Sequence, residues 1–177
     1  MSDLTIADLT FISREELSKL LRTSSSAAGS NISEPFESTL ETTPSDVPQP
    51  ADATVIAPKD SEIAIIDVRD GDHVGGHIKN SIHAPSSELD YRMPELVRTL
   101  KNKDTIVFHC ALSQQRGPSA ALRYLREKKR LEGKKEGEEN GQKVLVLDGG
   151  FVKWQEAYGK DKDLTEAYEE DIWKFGY

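Results

Sequence analysis

The sequence predicts an α/β fold: one domain built on a central, mostly parallel five-stranded sheet with helices on both faces. Three observations predict it. The runs "EIAIID", "TIVFH" and "KVLVL" are apolar and largely β-branched without polar alternation, as strands buried on both faces require. Helical patterns separate them, which is the signature of parallel strands joined by crossovers. The 177 residues suffice for one ordinary core and not for two.

The elements follow in chain order. "LTFIS" reads as a short strand and "REELSKLLR" as a helix, with Ser13 as N-cap, Glu16 at the capping-box position, and Leu17, Leu20 and Leu21 on one face. Residues 1–22 therefore form the first strand and helix of the domain. From Thr23 to Pro58 there is no Lys or Arg, and the large apolar residues are isolated among Ser, Thr, Pro, Ala and Glu. Such a segment buries too little surface to offset chain entropy, so residues 23–58 are expected to be an acidic disordered insertion. Its length costs little, because loop-closure entropy grows slowly.

Residues 59–177 carry the rest of the domain. "EIAIID" is a buried strand, and "GGHIKNSIHAP" is a turn followed by a short strand near Ser81–Ala84. "SELDYRMPELVRTLK" reads as a helix that Pro94 should kink or restart. "DTIVFHC" is the next strand, and "GPSAALRYLREKKR" is a helix with Pro118 in its first turn, where the missing N–H does no harm. "LEGKKEGEENGQ" is a solvated charged loop. "KVLVLD" is the last strand, "GGFVKWQEAYG" a helix, and "LTEAYEEDIWKF" a terminal amphipathic helix whose Tyr168, Trp173 and Phe175 pack on the domain. The two glycines of "GGFVKW" mark a strand-to-helix corner; the Lys and glycine spacing of a phosphate-binding P-loop are missing.

Composition narrows the partners. A net charge of −8 argues against nucleic acid and anionic membranes, which need a clustered basic surface. No apolar run approaches a membrane span. The single cysteine cannot form an internal disulfide, and the acidic N-terminus lacks a secretory pattern, so the expected compartment is reducing, cytosol or nucleus. Oligomeric state is not legible.

Cys110 ends a buried strand, five residues separate it from Arg116, and a helix starts there. In parallel sheets, ligands sit outside the carboxyl ends of strands. A thiol placed there, beside loop N–H groups and a helix N-terminus, meets the conditions that lower its pKa from about 8.5 into the range of about 3.5 to 7.5. The same donors can cradle a tetrahedral oxyanion, and Arg116 adds a planar fork for two of its oxygens. The unit suits in-line attack on phosphorus, or on arsenic in a phosphate mimic. The bland alternative is a small core cysteine. Strand end, loop length, Arg, Gly-Pro and helix together favour the anion loop.

"HCALSQQRGPSAA", with "IIDVRD" and "GGHIKNSIHAP" before it and "LVLDGGFVKW" after it, resembles the rhodanese-fold superfamily. Within it the chain is similar to the M-phase inducer phosphatases (tyrosine or dual-specificity type) and the related fungal and plant arsenate reductases. Sulfurtransferases of this fold have a loop one residue shorter, whereas this loop leaves room for a phosphate-sized anion. The resemblance implies a cysteine nucleophile at Cys110, an oxyanion clamp at Arg116, and an anion cradle of N–H groups spanning Ala111, Leu112, Ser113, Gln114, Gln115, Arg116 and Gly117. It implies a phosphorylated protein, a small phosphate ester or arsenate as substrate, and no resident cofactor. Two positions depart from the M-phase inducer pattern. Ala111 replaces the Glu that follows the nucleophile, and Val68 replaces the second cysteine. An oxidised Cys110 would therefore need an external thiol, which suits an arsenate reductase served by glutathione and glutaredoxin and equally an oxidation-sensitive phosphatase.

The remaining candidates are supporting. Asp67 and Arg69 read as an ion pair under the site, and His109, on the opposite side of its strand from the thiol, as a hydrogen-bonded core residue. Asp70 and Asp72 read as solvated loop acids, with proton donation to a leaving group as the alternative. Ser113 either meets the thiolate or faces solvent. His73, His77 and His83 with Cys110 do not read as a metal site, because "VGG" discourages the helical turn that such spacing needs. A binding module without turnover is the reading from a different class.

Overall fold

A computed structural model describes residues 4–26, 62–133 and 141–176. The five expected strands are β1 (Thr10–Ile12), β2 (Ile63–Asp67), β4 (Ile82–His83), β5 (Thr105–His109) and β6 (Lys143–Leu147). They form one sheet in the order β1-β6-β5-β2-β4, and every pairing is parallel. Two strands outside it, β3 (His77–Ile78) and β7 (Thr165–Glu166), make a small antiparallel ribbon.

Alternation along the strands divides the core in two. Ala64, Ile66, Ile106, Phe108, Val144 and Val146 line one face, together with Cys110. Helices α2 (Leu89–Thr99) and α3 (Arg116–Glu132) cover that face through Met93, Leu96, Val97, Ala120, Ala121 and Tyr124. Ile65, Val107 and Leu147 line the other, against Leu17 of α1 (Arg14–Ser26) and Phe151 and Trp154 of α4 (Gly150–Tyr158). The central position of β5 places its carboxyl end between two covered layers.

Local expectations are met where short-range chemistry decides. Ser13 caps α1 as expected: its Oγ accepts the Glu16 N–H at 3.2 Å, and Glu16 Oε2 accepts the Ser13 N–H at 3.1 Å. The helix then continues to Ser26, past Thr23, where the insertion was expected to begin. Residues 27–58 of that insertion lie outside the described residues, as do 134–140 of the charged loop. Leu17 is buried and Leu20 exposed, so the face toward the sheet runs through Leu17 and Leu21.

Pro94 neither breaks nor restarts α2, which runs on from Leu89 to Thr99. It is the sixth of eleven helical residues, so its missing N–H removes one bond, to the Asp90 carbonyl, and the turns on either side carry the helix through. The terminal helix is shorter than its pattern suggests. Thr165–Glu166 pair with β3, Ala167 takes a left-handed φ of 52°, and only α5 (Glu170–Phe175) is helical. Tertiary contacts override the periodicity there: Thr165 Oγ1 donates to the Tyr158 carbonyl at 2.7 Å and accepts Trp154 Nε1–H at 3.0 Å. Trp173 packs on Phe151 at 5.5 Å between ring centres and donates to the Gly75 carbonyl at 2.8 Å, and Tyr168 donates to Gln155 at 2.9 Å. Phe175, expected to pack, is exposed, since so short a helix seats one aromatic over Phe151. No described helix is long and apolar enough to cross a membrane.

Candidate active site

Cys110 follows the last residue of β5 and is 4 % exposed, a free thiol at the sheet's carboxyl edge. The chain then turns through five bends before Arg116 opens α3. Ser113 sits inside this turn in a left-handed conformation, φ 53°. Its N–H donates to Cys110 Sγ at 3.2 Å, and its Oγ accepts the Cys110 N–H at 3.4 Å. Ser113 therefore meets the sulfur through its backbone, and its buried hydroxyl braces the loop. No hydrogen-bond acceptor among the described residues takes the N–H groups of Ala111, Leu112, Gln114, Gln115, Arg116 or Gly117. That row of unpartnered donors at a helix start matches what an oxyanion needs. Leu112, Gln114 and Gln115 have exposed side chains.

The outer wall of the loop comes from an element that the sequence analysis left aside. The first turn of α4 donates two backbone N–H groups to the loop's carbonyls, Phe151 to Cys110 and Val152 to Ala111, each at 2.9 Å. This satisfies two otherwise unpaired helix donors and fixes the loop from outside. Gly150 makes the approach possible: at φ 58°, a Cβ there would lie 2.5 Å from both the Cys110 and Ala111 carbonyl oxygens. The "GG" corner carried this signal, legible only once the corner is known to touch the Cys110 loop.

Arg116 does not stand alone beside the sulfur. Its Nη1 donates to Asp70 Oδ2 at 3.1 Å and to Asp72 Oδ1 at 2.7 Å, and its Nη2 to Asp72 Oδ2 at 2.5 Å. Asp70 and Asp72 are thus ion-paired, not the solvated loop acids expected. The hydrogen bonds that Arg116 donates to Asp72 hold its guanidinium above the ordinary value against partial burial, with the bond to Asp70 adding to the effect. Arg116 in turn lowers the Asp72 carboxyl. The Asp70 carboxyl stays far below the ordinary range despite burial, because Ser86, Ser87 and Arg116 donate to it.

Asp67, Arg69 and His109 gather on the other side of the sheet from the thiol. Arg69 is fully buried, bonded to Asp67 through Nε at 3.0 Å and Nη2 at 2.7 Å, and stacked over Phe151 at 4.3 Å. It also donates to the Gly76 carbonyl at 2.8 Å, pinning the loop after β2. Burial alone would raise the Asp67 carboxyl; the His109 ring and Arg69 overcome it and bring it down to about 2. His109 faces away from the thiol, with Nδ1 3.2 Å from the Cys110 carbonyl. Its Nε2 has no hydrogen-bond partner and lies 3.7 Å from Asp67 Oδ2. Burial pushes the imidazole below its ordinary value, and Nδ1, which faces a carbonyl oxygen, is the donor. His73, His77 and His83 stack together, His73 on His83 at 3.8 Å, and no group of ligands able to hold a metal occurs among the described residues.

Comparison with known proteins agrees with this architecture. The model of the rhodanese-like domain matches residues 51–157. The CDC25-like phosphatase YCH1 of Saccharomyces cerevisiae is 39% identical over 121 residues, 62% of this chain and 77% of that one. Arsenate reductase 2.2 of Oryza sativa subsp. japonica is 40% identical over 100 residues, 55% of this chain and 72% of that one. Among solved structures, Saccharomyces cerevisiae Ygr203w, described as a homolog of single-domain rhodanese and the Cdc25 phosphatase catalytic domain, superimposes with a TM-score of 0.64. It is 29% identical, with 97% of each chain covered. A five-stranded parallel sheet with its lone cysteine at the end of the central strand, matched over more than half its length, places this chain in the rhodanese-like domain family, among Cdc25-like phosphatases and arsenate reductases.

Proposed function

We propose that the protein is a cysteine-dependent phosphatase that works through a phosphocysteine intermediate. One observation carries the reading: a free sulfur inside a loop with six N–H groups that find no acceptor among the described residues, and an arginine at its far end. The Cys110 thiolate attacks phosphorus in line, the bond to the leaving oxygen breaks, and that oxygen takes up a proton. The equatorial oxygens, over which the charge of the transferring group is spread, are held by the loop N–H groups and Arg116. Water then attacks the phosphocysteine, the P–S bond breaks, and inorganic phosphate and the thiolate are released. Ser113 N–H, already on the sulfur, stabilises the departing thiolate.

Arsenate reduction is the second reading, supported by the relatives bearing that name. There the thiolate adds to arsenic(V) and water leaves. External thiols such as glutathione, with glutaredoxin, supply the two electrons and are oxidised to a disulfide as arsenite departs.

The test is hydrolysis of an activated aryl phosphate by wild type, Cys110→Ser and Arg116→Lys, beside arsenate-dependent NADPH oxidation coupled through glutathione, glutaredoxin and glutathione reductase. Activity in the first assay that Cys110→Ser abolishes supports the phosphatase. Turnover only in the second makes the reductase the activity. Activity in neither, with phosphate still bound, leaves a binding module.

A further inference from the structure

The guanidinium of Arg116 has five N–H hydrogens, and the loop after β2 uses three of them. Nη1 spends both of its hydrogens on Asp70 Oδ2 and Asp72 Oδ1, and Nη2 spends one on Asp72 Oδ2. Nε–H and the second Nη2 hydrogen have no acceptor among the described residues. Those two lie on one edge of the planar group, at the spacing that binds two oxygens of an oxyanion side by side. The carboxylates thus occupy the far end of the fork and leave its side open.

The brace is itself braced. Asp72 Oδ1 accepts the Asp70 N–H at 3.0 Å, while Asp70 Oδ2 accepts the Ser86 hydroxyl at 2.5 Å and Oδ1 the Ser87 N–H at 3.0 Å. Ser86 and Ser87 belong to the turn that opens onto α2. A long, partly exposed arginine is therefore held at three points by the loop after β2, which the turn before α2 braces in its place. Ordering it beforehand removes rotamer entropy that binding would otherwise cost.

We infer that Asp72, backed by Asp70, is the positioning residue of Arg116: it grips the Nη1–Nη2 end of the guanidinium so that the Nε–Nη2 edge is free for a tetrahedral oxyanion in the Cys110 loop. The inference rests on reading that loop as an oxyanion site. A carboxylate beside an anion can also act as an internal competitor that substrate displaces, and the two roles differ in sign. Positioning means that neutralising Asp72 weakens anion binding; competition means that it strengthens binding.

The experiment titrates inorganic phosphate by calorimetry into the Cys110→Ser protein, where no chemistry follows, and into the same protein carrying Asp72→Asn, Arg116→Lys, both, or Asp72→Glu. Thermal melting checks that each variant is folded. Asp72→Asn is expected to weaken phosphate binding about tenfold or more. Added to Arg116→Lys it is expected to cost less than about twofold, since no fork remains to be aimed. Asp72→Glu, which keeps the carboxylate, is expected to stay within about threefold of the parent. Unchanged or tighter binding in Asp72→Asn, or a full additive loss on Arg116→Lys, overturns the inference and leaves the proposed function standing. No phosphate binding by the parent protein removes the oxyanion site, and both fall together.

Discussion

The backbone N–H of Ser113 donates to the sulfur of Cys110 at 3.2 Å, while the Cys110 N–H returns a hydrogen bond to Ser113 Oγ at 3.4 Å. This pair closes the loop on itself around the sulfur. Ser113→Ala keeps the N–H and removes only the hydroxyl, leaving the buried Cys110 N–H without an acceptor at a cost of about 1–3 kcal/mol. Ser113→Pro deletes the N–H and forbids the positive φ. Aryl phosphate hydrolysis is expected to fall modestly in the first and to disappear in the second. Equal losses would show that the hydroxyl, not the backbone donor, governs the sulfur.

Gly150 touches no substrate in this account, yet its replacement is expected to be among the most damaging. A Cβ there would sit 2.5 Å from the Cys110 and Ala111 carbonyl oxygens, at a φ of 58° that already disfavours side chains. Gly150→Ala must push α4 off the loop or distort the loop itself. A stability loss of about 2 kcal/mol or more is expected in urea titration, with a larger fractional loss of activity. A variant as active and stable as wild type would mean that α4 does not hold the loop.

Asp67 and Arg69 are both fully buried, so removing either partner leaves an uncompensated charge. Arg69→Met and Asp67→Asn are each expected to cost about 3–5 kcal/mol, and the double variant less than their sum. Denaturant unfolding of the three proteins checks this. Additive losses would show that the two groups act independently.

Acid is expected to destabilise the fold before the carboxylates titrate. Burial holds His73 down to about 4, only partly offset by Asp67, whereas the ordinary histidine value is 6.5. The unfolded chain therefore takes up a proton first as pH falls, and the stability present above 6.5 is lost between that value and about 4. His109 is shifted in the same direction by its burial. Because His73 is partly exposed, its share is about 1 kcal/mol after screening. Thermal melting across this window should show a falling Tm, less steep in His73→Gln. A flat profile, or an unchanged slope in the variant, would contradict the assignment.

What was legible in the sequence follows the range of the forces involved. The capping box at Ser13, the three buried strands β2, β5 and β6, and the loop between Cys110 and Arg116 are set by local chemistry or by runs of one residue type, and the folded chain keeps them. Strand alternation also placed His109 away from the thiol correctly. The residues missed are those whose partners are remote in sequence. Asp70 and Asp72 look like solvated acids until Arg116, more than forty positions later, is seen to meet them. Gly150 looks like any corner glycine until its neighbour across the sheet is known. The final helix failed for the same reason, since Thr165 is claimed by Trp154 and by β3 before periodicity can act.

The central claim is that Cys110 attacks the substrate, and a rapid acid quench of wild-type protein mixed with an aryl phosphate tests it most directly. Mass spectrometry of the digested protein is expected to find one phosphoryl group on the peptide bearing Cys110, formed as fast as the first turnover and missing in Cys110→Ser. Steady hydrolysis with no such adduct, or an adduct on another residue, would contradict the account.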